Sequence, residues 1–317
     1  MALFELPFFQ ELEKSQTILL AGAGGGFDVF TGLPLYFALR EAGKQVYLAN
    51  LSFSHIYAST GKRHASALVE ITASTRSPET YFPELYLARW FRDRGEDVTL
   101  YCLDRTGVQP LLRAYWYLMQ KLQFDTILLV DGGTDSLMRG DEVGLGTPEE
   151  DITSIAVVDQ LDVPTKLLAC LGFGIDTFHG VNHAQFLEAV AEITRAGGFL
   201  GAWTLTQDMP AARLYREAVD AVHQAMPQRP SIVNTSILSA LEGQFGNHHA
   251  TRRTEGSKLF INALMTLYWT FRLDPVARRI LYLEDLFWTE SYLDVQRIIR
   301  VFRGNLEKTR EWTHLPM

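Results

Sequence analysis

Cysteine is nearly absent: the chain of 317 residues contains Cys102 and Cys170 and no others. Both sit inside apolar runs that read as strands, so buried free thiols are expected in place of a disulfide or metal pair, which fits a reducing cytoplasm. Positive charge is also in short supply. Lys and Arg total 29 against 37 Asp and Glu, a net charge of −8. That balance argues against a nucleic-acid partner and against an anionic membrane surface, and leaves a small-molecule ligand as the expected partner. Long apolar runs are missing too. "LFINALMTLYWTF" is interrupted by Asn262 and falls well short of the roughly 20 residues that span a bilayer. The opening "MALFELPFFQELEKSQ" lacks the basic region, long apolar stretch and small-residue cleavage site of a signal peptide. A cytoplasmic protein without membrane contact is expected. No Pro-, Gly- or Ser-rich linker and no internal repeat divides the chain, so residues 1–317 are expected to form a single α/β domain.

What is present is alternation. Strand-like runs are "TILLA" (17–21), "QVYLAN" (45–50), "VTLYCL" (98–103), "TILLV" (126–130), "KLLACL" (166–171), "FLGAWTL" (199–205) and "SIVNTS" (231–236). Most are continuously apolar, as parallel strands buried on both faces should be, and helix-like stretches separate them. In "TPEEDITSIAVVDQL", Thr147 reads as an N-cap, Pro148 as the first helical residue and Glu150 as the partner of a capping box. Ala211, Leu214, Ala218, Val222 and Ala225 recur at helical spacing, with His223 read as a surface residue. After about residue 250 the strand signal stops. Val295, Ile298, Ile299 and Phe302 share a stripe and Gly304 reads as a terminator. The expected architecture is a doubly wound, Rossmann-like, mostly parallel sheet with a helical appendage over about 256–317. The apolar stripe of that appendage makes a homo-oligomer plausible.

In a parallel sheet the carboxyl ends of all strands share one edge, so loops distant in sequence converge there. Three strands here end in glycine beside aspartate. The first gives "AGAGGGFD", with Gly24, Gly25, Gly26 and Asp28. The fourth gives "DGGTDS", with Asp131, Gly132, Gly133, Thr134 and Asp135, and Asp141 and Glu142 follow. The fifth gives "GFGID", with Gly174 and Asp176, and then "TFHGVNH".

The first loop fails the dinucleotide fingerprint. Counted from Gly22, Phe27 replaces the third glycine; counted from Gly24, Val29 does. The second strand ends at Asn50 and Ser52, so the ribose-binding acid is missing as well, and no Gly-Lys-Ser/Thr ending marks a Walker A loop. Neither NAD nor ATP is supported through a standard motif. Asp131 and Asp135 are candidate ligands for Mg²⁺ or for sugar hydroxyls. "GGTDS" also shares a Gly-Thr-Asp triplet with bacterial asparaginases, which keeps an amide hydrolase using Thr134 and Asp135 among the alternatives. His179 and His183, four apart, are candidate proton carriers, although Gly180 weakens a helix between them. The basic stretch "EGQFGNHHATRRTEGSK" concentrates Asn247, His248, His249, Arg252 and Arg253 where a loop could fold back over the sheet edge, and Asn247, His248 and Arg252 are candidate ligand contacts.

"ILLAGAGGGFDVFTGLPLYFALREAGKQVYLANLSF" followed by "LLVDGGTDSLMRGDE" resembles the bacterial and archaeal proteins grouped as domain of unknown function 1152. The resemblance covers most of the chain, implies one domain and carries no reaction with it. The residues themselves point to an enzyme acting on a nucleotide, nucleoside or phosphorylated sugar by hydrolysis or group transfer. A non-catalytic sensor with the same pocket is the alternative.

Overall fold

The first buried run becomes the middle of the molecule. In the computed structural model, which describes residues 5–257 and 259–315, β1 (Thr17–Gly22) pairs in parallel with β2 (Gln45–Ser52) on one side and β6 (Thr126–Asp131) on the other. β5 (Leu100–Asp104) extends the sheet beyond β2, and β7 (Thr165–Leu171) extends it beyond β6, both in parallel. The hairpin β3 (Lys62–Ala65) and β4 (Leu68–Ile71) adds antiparallel strands outside β5. β8 (Phe199–Thr204) lies at the far side. The five parallel strands thus run β5-β2-β1-β6-β7, which in chain order is the 3-2-1-4-5 arrangement of doubly wound sheets.

Helices cover both faces because each strand alternates its side chains between them. Ile18 and Leu20 enter one core, and Leu19 and Ala21 enter the other. The first core is closed by α1 (Pro7–Lys14), α2 (Asp28–Thr31), α3 (Leu33–Glu41), α4 (Pro83–Asp93), α8 (Pro210–Ala225) and α9 (Ile232–Leu241). The second is closed by α5 (Val108–Leu122), α6 (Pro148–Asp159), α7 (His183–Arg195), α10 (Leu273–Ala277), α11 (Leu283–Leu286) and α12 (Tyr292–Gly304). The chain leaves β1 toward one face and β6 toward the other, so a crevice opens where their carboxyl ends diverge.

Three expectations are corrected. "SIVNTS" is not a strand: Ser231 caps α9 by accepting from the Asn234 N–H (3.1 Å), and the hydroxyls of Thr235 and Ser236 donate back to Ser231 and Ile232 carbonyls. The hydroxyls satisfy themselves within the helix, so a β-branched, Ser/Thr-rich run can be helical and packed. The C-terminal region is not only helical either. β11 (Leu267–Arg272) inserts antiparallel between β7 and β8, and a small hairpin joins β9 (Gly246–Asn247) to β10 (Phe260–Ile261). Asn262 breaks the long apolar run by capping a short 3-10 turn, its side chain accepting from Leu264 N–H at 2.9 Å. The Tyr-Trp-Thr-Phe sequence beyond it then suits a strand buried on both faces. Finally, His223 is largely buried, its Nε2 accepting from the Ser231 N–H (3.0 Å) and its ring packing edge-on to Phe27. Burial pushes its pKa down to about 4.

The C-terminal helices keep their expected stripe: Val295 and Ile299 are buried, and α12 ends at Gly304. Because Phe271 of β11 is fully buried in the second core, Phe271→Ala should lower the stability of the chain by about 3–5 kcal/mol. Phe260→Ala, at an exposed position of the small hairpin, should cost about 0.5 kcal/mol or less. Urea unfolding followed by circular dichroism measures both.

Candidate functional site

The crevice between β1 and β6 is lined by carboxylates. Asp28 begins α2, Asp131 ends β6, Asp135 begins a short 3-10 turn, Asp151 lies in the first turn of α6, and Asp176 follows β7. All five line one cavity of about 310 Å³, at the lower end of the roughly 300–1,000 Å³ range of small-ligand pockets. Asp131, Asp135, Asp151 and Asp176 are buried, and Asp28 is half-buried.

The glycines make room for these groups. A Cβ at Gly24 would lie 2.8 Å from oxygens of both Asp28 and Asp151, closer than any side chain tolerates. The Gly24 N–H donates to Asp28 at 2.6 Å. Gly25 and Gly26 adopt left-handed backbone (φ +90° and +62°) and carry the loop under Phe53. Asn50, at the end of β2, faces inward: its Nδ2 donates to the Gly26 carbonyl and to Glu84, each at 2.8 Å. Its role is therefore to brace the loop. Burial raises Glu84 to about 7.

The five aspartates are held in different ways. Asp131 accepts from the N–H (3.3 Å) and hydroxyl of Ser136. Asp135 accepts from the N–H (2.7 Å) and hydroxyl (2.9 Å) of Thr147. Asp176 accepts from the Thr134 N–H at 2.6 Å. Asp151 Oδ1 has no hydrogen-bond partner although it is buried. Burial pushes every one of these carboxyls above its ordinary value. The neighbouring Asp131 charge adds to the rise at Asp28, that of Asp135 adds at Asp151 and Asp176, and Asp131 itself stands at about 7. So many carboxylates cannot all ionise together in one small cavity without a cation. One oxygen each of Asp28, Asp131 and Asp151 lie within 4.8 Å of one another, a spacing at which a single metal ion could be shared.

The structure sorts the sequence candidates. Gly24, Gly25, Gly26, Asp28, Asp131, Gly132, Asp135, Asp176 and His179 reach the cavity. Of the expected metal pair, Asp131 belongs with Asp28 and Asp151 to the group whose oxygens lie within 4.8 Å of one another, while Asp135 accepts from Thr147. Gly133 and Thr134 stand behind the wall, where they support Asp176. His183 and Gly174 line a separate apolar groove with Phe173 and Leu264. Left-handed Gly180 ends the turn that carries His179, and α7 starts afresh at His183, so the two rings line different cavities. His183 is pulled below its ordinary pKa by burial and by His314. Asn247 pins the small hairpin by accepting from the Leu259 N–H (3.0 Å). His248 and Arg252 do not line the cavity; Arg253 does, together with Arg229. Asp141 and Glu142 belong to the scaffold, bound by Arg310. Both thiols are buried and pushed up by burial.

Asp151 escaped the sequence reading because "TPEED" fitted a capping box. In the folded chain Thr147 turns its hydroxyl to Asp135, and Glu150 meets Tyr292 and Arg105. The available signal was an acidic first helical turn directly after the acidic loop.

The raised carboxyls set a pH dependence. Glu84 and Asp131, and also Glu150 where burial dominates, stand at about 7 in the folded chain. Once unfolded, they ionise near pH 4. The folded state therefore holds more protons between those values, so the contribution is complete below about pH 4 and is lost as pH rises through about 7. With a chelator present, the urea midpoint should fall from about pH 5 to about pH 8, and Glu84→Gln should reduce that fall. A midpoint that rises across this window contradicts the assignment.

No curated protein and no solved structure matches the chain. A family model matches residues 19–311, which include every residue that lines the cavity, and its description is "Protein of unknown function (DUF1152)". The chain belongs to this family.

Proposed function

We propose that the protein is a cation-dependent enzyme that hydrolyses, or transfers a group from, a small polar metabolite held at the β1/β6 crevice. The observation that carries this reading is the grouping of Asp28, Asp131 and Asp151 around one point, with Asp151 Oδ1 buried and unpartnered. A buried carboxylate with one oxygen unpartnered, its other oxygen meeting only the Thr147 hydroxyl at 3.5 Å, is costly, and a divalent ion would offset the charge of three carboxylates at once. A structural role alone accounts poorly for gathering them.

When bound, such an ion would polarise a substrate oxygen and lower the pKa of a coordinated water. Asp28, Asp131 and Asp151 would hold it. Asp135 and Asp176, engaged by Thr147 and Thr134, would orient substrate hydroxyls at the margin. His179, on the same cavity, is the imidazole placed to carry a proton to or from the substrate. The glycine loop keeps side chains out of the space this arrangement needs.

Mn²⁺ binding, followed by electron paramagnetic resonance, should be tight in the natural chain and at least about tenfold weaker in Asp151→Asn. Since binding requires ionised carboxylates, the melting-temperature gain from Mg²⁺ should be larger at about pH 8 than at about pH 6. Equal Mn²⁺ affinity in the natural chain, Asp28→Asn and Asp151→Asn would overturn the reading. A melting-temperature gain from small diamines and none from Mg²⁺ or Mn²⁺ would instead point to an ammonium-bearing ligand.

A further inference from the structure

The carboxylates occupy only part of the cavity wall. Another part of the wall is built from Arg229, Arg253, Tyr81, the cap residue Ser231 and the first residues of α9, Ile232 and Val233. This wall has the opposite electrical character. Both guanidinium groups lie near enough to Tyr81 to pull its phenol downward against the rise caused by burial and by Glu84. Arg229 also stands 5.9 Å from the Tyr81 ring. Arg253 is anchored by one guanidinium nitrogen to the Pro230 carbonyl at 2.7 Å, which fixes it to the loop that carries Arg229. Among the described residues, these two are the cationic side chains that line the cavity.

α9 contributes the second element. It is a ten-residue helix whose N-terminus opens on the cavity. Its cap uses Ser231 Oγ for the Asn234 N–H, and His223 takes the Ser231 N–H. The Ile232 and Val233 N–H groups, in the first helical turn, have no intrahelical acceptor. Helix N-termini of this kind carry partial positive charge and favour anions. The same cavity contains the buried, unpartnered Asp151 Oδ1, so its two poles are a cation-seeking group of carboxylates and an anion-seeking wall.

We infer that the ligand of this site carries a phosphate or diphosphate group, held between a divalent cation on Asp28, Asp131 and Asp151 and the Arg229/Arg253/α9 wall. This rests on the cation-dependent reading above and narrows its substrate class to phosphorylated metabolites. Two arginines alone do not offset five aspartates, so the anion should enter as a complex with the cation. Each should then strengthen the binding of the other by the same factor.

The test uses inorganic pyrophosphate and inorganic phosphate as probes, with isothermal titration of the full chain in the presence and absence of Mn²⁺. Pyrophosphate is expected to bind in the presence of Mn²⁺ and at least tenfold more weakly without it. Arg229→Ala and Arg253→Ala should each weaken the Mn²⁺-dependent binding about tenfold while leaving Mn²⁺ affinity alone within about twofold. Arg253→Lys, which keeps charge but loses the fork, should recover part of the loss. Unchanged pyrophosphate affinity in both alanine variants, with Mn²⁺ still bound, overturns the anion wall and leaves the metal reading intact. Metal-independent pyrophosphate binding that the alanine variants abolish overturns the coupling, while the wall stands; equal Mn²⁺ affinity in the natural chain and Asp151→Asn overturns the metal reading itself. Melting curves of each variant confirm that it is folded.

Discussion

The mutual repulsion of buried carboxylates is the constraint on which this molecule is organised. Asp28, Asp131, Asp135, Asp151 and Asp176 are carried to one cavity by four separate stretches of the chain. The fold does not place a basic side chain on any of them: among the described residues, none forms an ion pair with Lys, Arg or His. Instead it surrounds them with neutral donors from Gly24, Thr134, Ser136 and Thr147. Such donors orient a carboxylate without cancelling its charge, so the cavity remains able to attract a cation. Glycine at positions 24, 132, 133 and 146 follows from the same constraint, because side chains there would collide with oxygens of Asp28, Asp151, Asp176 and Asp135.

Holding such a cluster requires a rigid frame, and much of it comes from distant sequence. Arg303 of α12 donates to the Gly140, Glu142 and Val143 carbonyls, and Arg310 binds Asp141, Glu142 and Glu188. The buried Glu142 also receives the N–H groups of Arg139 and Gly140. The acidic loop after β6 is thus tied to the C-terminal part of the chain, whose strand β11 lies inside the main sheet. On the other flank, Asn50 and Glu84 brace the glycine loop from beneath. Asn50 stands where a dinucleotide-binding protein would present an acid to a ribose, and its inward hydrogen bonds explain physically why that motif does not apply.

Much of this was legible in the residues. Six of the seven runs read as strands are strands, and the glycine-aspartate endings identified the edge of the sheet that carries the cavity. The failures have physical causes. "SIVNTS" has strand composition, yet its hydroxyls bond back to the preceding turn and its asparagine is enclosed by Tyr215, Phe27 and Ser231. "TLYWTF" was hidden in a longer apolar run, where strand and helix cannot be separated by periodicity. Arg252 and Arg253 are adjacent and chemically equivalent, and only the fold of the loop decides which one reaches the cavity.

The sequence by itself determined the α/β class, the central parallel strands and the meeting of three acidic loops, because alternating buried runs and strand-end punctuation are local properties. Only the tertiary structure decided that Asp151 completes the acidic group, that His179 and His183 part company, and that Arg229 and Arg253 stand on the same cavity. Those outcomes depend on where helices far apart in the chain end relative to one another, a distance that no local spacing encodes.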